Sequence, residues 1–266
     1  MTKSVTKNPK LTGKVMVVLP TLGDRIELLK ETFQSLSIQD SQILDIVVVC
    51  PKKSVEARKL AVKFGAVLVD DPGGLSAALN EGFKLLQPNH QYACWLGDDD
   101  LLSPNSLSVT VPLMDANPSA VIIFGHCDYI DDAGKLIFTN KANRLAPWLM
   151  SWGPNLVPLM GMLYRVDALK KAGEFNPDNK YSMDLDMLLR MKKMGKFINT
   201  DQVLGSFRWH PSSTTVANRT KSLNEAKLVK RNYLPRILKP FAPLWELPVG
   251  VATQIAAKRV SKMAKS

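Results

Sequence analysis

The sequence predicts an α/β fold in which a mixed, mostly parallel, Rossmann-like sheet is flanked by helices. Between residues 15 and 124, short continuous apolar runs alternate with helically periodic segments four times, the rhythm of strand–helix crossovers. The runs, beginning with Val15–Leu19 (VMVVL), lack the polar alternation of a half-exposed strand, so both faces are expected to be buried. At 266 residues the chain is long for one domain yet within the range of a single sheet of this kind.

The first strand leads into a helix over Asp24–Ile38, with Ile26, Leu29, Phe33 and Leu36 on one face. Ile46–Val49 reads as strand, Val55–Phe64 as helix and Ala66–Val69 as strand. Leu75–Leu86 is helical, Tyr92–Leu96 a strand, Ser103–Asp115 a helix and Val121–Phe124 a strand. Beyond residue 125 the rhythm changes. Tyr129–Ile137 reads as a hairpin turning around Asp132–Gly134. The Trp-, Pro- and Gly-rich stretch 144–162 reads as irregular, 166–172 and 183–194 as helices, and 197–208 as short strands. There is no internal repeat.

The net charge of +11 is unevenly spread. Residues 219–266 carry 11 Lys/Arg against 2 Glu, and residues 1–14 carry four lysines, which leaves 15–218 at −2. The chain therefore divides into a basic arm (1–14), a nearly neutral body (15–218) and a basic, apolar tail (219–266). A neutral body argues against nucleic acid as the partner, and a basic tail favours an anionic surface. The arm has no apolar stretch of the kind a secretory leader needs, and no run of 18 apolar residues occurs. Cys50, Cys94 and Cys127 lie in or beside strand-like runs without CxxC spacing, so free buried thiols in a reducing, cytoplasmic setting are expected.

Strand Tyr92–Leu96 runs straight into Gly97-Asp98-Asp99-Asp100. Ligands of open parallel sheets bind beyond the carboxyl ends of the strands. One aspartate there could simply favour the start of the next helix. Three adjacent carboxylates repel one another unless a cation is present, and hard oxygen donors suit Mg²⁺ or Mn²⁺. A second acid stands out by its angle. On a helix over 183–194, Leu188 and Met191 fall within about 40° of Asp184, whereas Asp186 lies roughly opposite, beside Arg190 and Lys193. Asp184 thus belongs to the apolar stripe, where a carboxylate needs compensation. Either it sits in the first turn behind a Ser182 N-cap or it is a general base. Asp186 is expected to be exposed and paired with Arg190 at i,i+4. Of the three histidines, His210 lies in a loop-like Arg208-Trp209-His210-Pro211, while His90 and His126 read as structural.

An ordered set of these segments resembles family 2 glycosyltransferases of the GT-A fold. It comprises Val17-Val18-Leu19-Pro20-Thr21, the stretch Gly73 to Gly82 (GGLSAALNEG), Trp95 to Pro104 (WLGDDDLLSP), Gly173-Glu174-Phe175, Ser182-Met183-Asp184-Leu185-Asp186 and Phe207-Arg208-Trp209-His210. The resemblance covers roughly residues 15–215. It implies an enzyme that moves a sugar from a nucleotide-diphosphate donor (UDP-, dTDP- or GDP-linked) to a hydroxyl of a glycan or lipid-linked saccharide, with inversion. By the same resemblance Asp98 contacts the ribose or sugar, Asp99 and Asp100 hold Mn²⁺ or Mg²⁺, His210 completes the metal shell, and Asp184 is the base. Pro20, Thr21, Gly74 and Asn80 would line the nucleotide.

Two positions depart from the family pattern. The second strand ends Val49-Cys50-Pro51-Lys52 where an acid reading the base is usual, so Asp71, with Asp70, is the substitute. Leu79 replaces a basic residue, which shifts phosphate contacts to Arg25 or Lys52. Alternatives are a catalytically silent nucleotide- or glycan-binding member, or a sugar nucleotidyltransferase, although the loop Pro20–Arg25 has one glycine only. In the tail, Leu234, Ile237, Leu238, Phe241, Leu244, Leu247, Val251 and Ile255 alternate with basic residues, and Pro235, Pro240, Pro243 and Pro248 are expected to prevent one continuous helix. Such a tail suits the inner face of an anionic membrane or, equally, packing on the body or an interface between copies.

Overall fold

The apolar run that opens the body lies in the interior of the sheet. In the computed structural model, which describes residues 11–40, 42–210 and 218–264, β1 (Val15–Pro20) pairs in parallel with β2 (Leu44–Cys50) and β4 (Tyr92–Trp95). β3 (Val67–Asp70) continues the parallel row beyond β2. Past β4 the sheet becomes mixed. β8 (Leu163–Arg165) is antiparallel to β4 and to β6 (Ala120–Ile130), and β6 pairs in parallel with β9 (Lys196–Arg208). β5 (Leu101–Leu102) and β7 (Leu136–Asn140) add antiparallel partners to β9 and β6. The order is β3-β2-β1-β4-β8-β6-β9-β5, with β7 beside β6.

Successive strand side chains point to opposite faces, and the two faces have separate cores. Met16 and Val18 join Val47 and Val49 under α3 (Leu75–Phe83), α6 (Val166–Ala172) and α7 (Met183–Met191). Val15, Val17 and Leu19 join Val48 and Cys50 under α1 (Ile26–Ser37), α2 (Val55–Lys63) and α4 (Ser106–Ala116). Both faces of β1 are thus dry, as its unbroken apolar run requires. Burying each such aliphatic side chain stabilises by about 1.5–3 kcal/mol.

The structure departs from the sequence expectation where strands are long or very short. β6 continues to Ile130 and β9 is one strand of 13 residues, because the two pair along their length through register shifts near Phe124–Cys127; such bulges break the period that marks a strand. β5 and β8, of two and three residues, are too short to show periodicity. The hairpin turn is as expected, with Gly134 N–H donating to the Asp131 carbonyl at 3.0 Å. Cys50, Cys94 and Cys127 are free and buried.

The short helix α5 (Ala146–Leu149) interrupts the irregular stretch. In the tail, α8 (Arg219–Tyr233) is followed by a 3-10 segment (Arg236–Phe241) and α9 (Pro243–Met263). Pro235 and Pro240 keep α8 and α9 apart as expected, but Pro248 lies inside α9. Its missing N–H leaves the Leu244 carbonyl without a helical donor near a helix end where Leu244 is 75% exposed to water. The tail packs on the body: the Tyr233 hydroxyl donates to Asp186 at 2.6 Å, and Trp209 Nε1–H to Ser261 Oγ at 3.2 Å. The basic arm lies largely outside the described residues, as do residues 211–217 after His210. No helix among the described residues is long and apolar enough to cross a membrane.

The fit of α3 on β1 depends on Gly82, where an added Cβ would stand 2.4 Å from Val18 Cγ1. Gly82→Ala is expected to lower unfolding free energy by about 1–3 kcal/mol through overpacking, measured by urea denaturation; an unchanged midpoint would contradict this close approach.

Candidate active site

The carboxyl ends of β1 and β4 lie side by side, and their loops bring Thr21, Arg25 and the aspartate cluster together. Leu96 N–H bonds the Val18 carbonyl at 3.1 Å, so the chain leaves β4 directly beside Pro20 and Thr21. The Thr21 hydroxyl donates to Asp98 Oδ2 at 2.5 Å. The Arg25 guanidinium bridges Asp98 Oδ1 and Asp99 Oδ2, the second contact at 2.5 Å, and lies 3.1 Å from His210 Nε2. His210 Nε2 is itself 2.7 Å from Asp99 Oδ2. Burial pushes the Asp98 carboxyl above the usual range, while Thr21 and Arg25 pull it back.

Asp100 points inward. Its Oδ1 accepts the Arg208 backbone N–H at 3.0 Å, and burial, together with the charge of Asp99, holds its carboxyl well above the ordinary value. The Arg208 side chain, 1% exposed, donates to the Asp99 carbonyl at 3.0 Å, to the Asp132 carbonyl at 2.9 Å and to Glu31 at 2.5 Å. β9 is thereby fastened to the end of β4. Over Gly97 the two acids face a common space, since a Cβ there would stand 2.7 Å from Asp100 Oδ2 and 3.1 Å from Asp99 Oδ1. Only glycine leaves it open.

This donor set, carboxylate oxygens with one imidazole, suits a hard or borderline divalent ion. Among the described residues, however, no three His, Cys, Asp or Glu side chains converge as a metal shell. The structure joins Asp99 to His210 and leaves Asp100 on Arg208, with the Arg25 guanidinium supplying the positive charge between Asp98 and Asp99.

The other nucleotide-binding candidates divide. Gly73 and Gly74 have φ of +98° and +89°, and a Cβ at either would meet nothing within 4 Å, so the loop before α3 is glycine for its backbone angles and open on its outer side. Asp71 Oδ1 accepts the Gly73 N–H at 2.9 Å and shapes that loop. Asn80 is used otherwise: its amide donates to the Phe175 carbonyl at 2.9 Å and accepts the Phe175 N–H at 2.8 Å, clamping α3 to the Gly173–Phe175 loop. Lys52 pairs with Asp70 at 3.2 Å on the surface.

Asp184 stands in the first turn of α7, half-buried in the wall of a cavity of about 660 Å³. Burial raises its carboxyl to about 6, against the opposing pull of the Leu185 and Asp184 backbone N–H groups. Ser182 occupies the N-cap position but makes no side-chain cap. Glu225 of α8 instead accepts the backbone N–H groups of Tyr181 and Ser182 at 2.7 Å and of Lys180 at 3.1 Å. Asp186 pairs with Arg190 at 2.9 Å as expected, but it is half-buried under Tyr233 rather than exposed, because α8 covers that face. His90 is structural, bridging Gln87 N–H and Asp45.

Sequence reasoning missed Glu225 and the cavity. A lone acid in a basic helix gives no signal of what it caps. The cavity is built from distant segments: Tyr129 stacks on Phe138 at 4.4 Å and meets Phe207 at 5.3 Å and Trp209 at 5.8 Å, while Arg219 lies over Trp209 at 5.3 Å. Of its lining, only the Ser182–Asp186 and Phe207–His210 segments stand in sequence motifs.

A family model described as glycosyl transferase family 2 matches residues 16–167. An uncharacterized glycosyltransferase of Rickettsia typhi is 23% identical over 237 residues, covering 85% of this chain and 73% of the relative. Among solved structures, the Staphylococcus aureus TarS fragment 1–349 in complex with UDP-GlcNAc is similar with a TM-score of 0.62 and 14% identity over 85% of this chain and 69% of that one. The Pyrobaculum calidifontis mannosyltransferase PcManGT in complex with GDP-Man and Mn²⁺ has a TM-score of 0.61 and 18% identity, covering 96% of this chain and 78% of that one. These structural likenesses extend the α/β sheet assignment to the GT-A fold.

A carboxyl held at about 6 instead of 3.8 binds its proton more tightly in the folded chain than in the unfolded one. Its contribution to stability therefore falls as pH rises from about 4 to 6. Asp184→Asn removes that penalty and is expected to add about 1–3 kcal/mol of stability above pH 6, with little change near pH 4. Thermal denaturation at the two pH values checks this; equal effects at both would contradict it.

Proposed function

The chain belongs to glycosyl transferase family 2, and from that premise we propose that it is an inverting, metal-dependent transferase using a nucleotide-diphosphate sugar, UDP-, dTDP- or GDP-linked. The acceptor is a hydroxyl of a glycan or lipid-linked saccharide. One observation carries the reading: Thr21, Arg25, Asp98, Asp99 and His210 meet in one hydrogen-bonded group at the carboxyl ends of β1 and β4. That is where an open sheet binds its ligand.

In this reading Pro20, Thr21 and Asp98 hold the nucleoside and sugar, while the Gly74 loop and Asp71 border the donor. Asn80 acts at one remove, by fixing Phe175. Asp99 and His210, already in contact, together with Asp100 would hold Mn²⁺ or Mg²⁺, and the ion would supply Lewis-acid stabilisation to the departing diphosphate. Arg25 provides a second positive charge on the same side. Asp184 takes the proton of the acceptor hydroxyl; the freed oxygen bonds the anomeric carbon as the bond to the donor phosphate oxygen breaks, and its electron pair leaves on the nucleoside diphosphate. A single displacement inverts the centre. A carboxylate raised to about 6 is a stronger base than an ordinary aspartate yet ionised at neutral pH.

The tail adds a location. Leu244, Leu247, Val251 and Ile255 of α9 are 75%, 66%, 58% and 49% exposed, and they fall within about 60° of one helical direction together with Lys258, Arg259 and Lys262. An apolar stripe continued by basic residues matches an anionic lipid surface, so the tail is read as the contact that brings the enzyme to the inner face of a membrane.

Three outcomes are expected. A nucleoside diphosphate with Mn²⁺ raises the melting temperature, by about 2.7 kcal/mol of stabilisation at 100-fold excess over Kd, and Asp99→Ala abolishes the shift; no shift with any of UDP, dTDP or GDP would sink the donor site. Asp184→Asn lowers kcat by about 10²–10⁴, and in the unsubstituted protein kcat/KM falls about tenfold per pH unit below about 6; a flat profile between pH 5 and 8 would exclude Asp184 as the base. Cosedimentation with phosphatidylglycerol-containing vesicles, but not with neutral ones, is expected and is lost in the double variant Leu247→Glu, Val251→Glu.

A further inference from the structure

The cavity beside Asp184 is mostly apolar. At about 660 Å³ it has the size of pockets that enclose drug-sized organic molecules. Ser182 and Asp184 supply polar atoms where α7 begins, and Tyr129, Phe207, Trp209 and Trp245 line it with aromatic surface. Asn140, Asn155, Arg219 and Lys227 add polar groups elsewhere on the wall, while Lys230 is bound to the Gly153 carbonyl and Glu246 to Arg231. A bare saccharide filling the space among those rings would exchange water on its hydroxyls for fewer partners. Hydrocarbon would gain by leaving water.

The space is also written into α9. Beyond Trp245 and Glu246 in its first turn, that helix turns Val249, Gly250, Ala252, Thr253, Ala256 and Ala257 toward the cavity, all small, while Leu244, Leu247, Val251 and Ile255 face outward. A Cβ at Gly250 would meet nothing closer than the Lys227 side-chain end at 3.8 Å. The volume is therefore kept by small residues along the middle turns of that face.

We propose that this cavity binds the apolar aglycone of the acceptor, so that the acceptor is an amphiphile with its reacting hydroxyl at Asp184 and its hydrocarbon part among Tyr129, Phe207, Trp209 and Trp245. The inference rests on the reading of Asp184 as the base and narrows the acceptor to molecules carrying a hydrocarbon chain or ring system. It assigns the two tail helices a binding role: α8 and α9 form the wall that selects the acceptor.

The test uses the full chain and two probes, octyl β-D-glucoside below its micelle concentration and methyl β-D-glucoside, titrated by calorimetry and by tryptophan fluorescence. Octyl glucoside is expected to bind at least about 100-fold more tightly than the methyl compound. Gly250→Phe, which fills the space, is expected to weaken octyl glucoside at least about tenfold. In that variant the thermal shift given by nucleoside diphosphate and Mn²⁺ is retained, which verifies the fold and the donor side. Ala256→Phe, on the same face, serves if Gly250→Phe fails to fold. Equal binding of the two glucosides, or octyl binding untouched by both phenylalanine variants, overturns the cavity assignment whatever the donor result. Selective, blockable octyl binding in a protein that shows no nucleotide shift overturns the transferase reading instead, and with it the role of the ligand as acceptor.

Discussion

Three consecutive carboxylates at the end of a buried strand cannot stand together without positive charge. The chain answers this constraint from three directions. Arg25, from the loop after β1, bridges Asp98 and Asp99. His210, past the end of β9, closes on Asp99, and the Arg208 backbone N–H caps Asp100. These contacts tie the parallel half of the sheet to β9, so the electrostatic demand of one tripeptide also fixes how the two halves of the fold meet. The neutralisation is expensive in burial, as the raised carboxyls of Asp98 and Asp100 record, and an arrangement that stores charge repulsion at a strand end is characteristic of a ligand site.

The parallel half of the fold was legible because both of its physical signals are local. VMVVL reads as a strand buried on both faces, and a periodic helix follows each such run. The aspartate cluster was legible for the same reason: its residues are adjacent in sequence and its position at a strand end is a topological rule. Asp184 could be picked out by helical angle, since only an inward carboxylate breaks the apolar stripe of α7. What stayed hidden depends on distance along the chain. The Asn80 clamp on Phe175 spans 95 residues, and nothing near Asn80 announces it. Glu225 reaches back to Lys180–Ser182, and the exposure expected for Asp186 failed because Tyr233 of α8 covers it.

Basic composition in the tail is likewise ambiguous until the helices are placed. Read as a string, it offered membrane contact and packing on the body as equal choices. Placed, α9 packs on the body with one face and exposes the other, so packing is seen and the proposed membrane contact would use the opposite side of the same helix. Pro248 does not break it because the lost hydrogen bond falls in the outer, solvated part of its first turns.

The division of labour along the chain has a consequence for how such a protein can diversify. The strand ends and loops that gather Thr21, Arg25 and Asp98–Asp100 all precede residue 101, whereas one wall of the cavity beside Asp184 is a single contiguous stretch at the other end of the sequence. Exchange of that stretch between relatives would replace a cavity wall and an outer surface in one recombination event and leave the aspartate cluster as inherited, provided the incoming helix keeps an acid at the place of Glu225 and an apolar residue at that of Val229. The last two helices are, in that sense, a cassette.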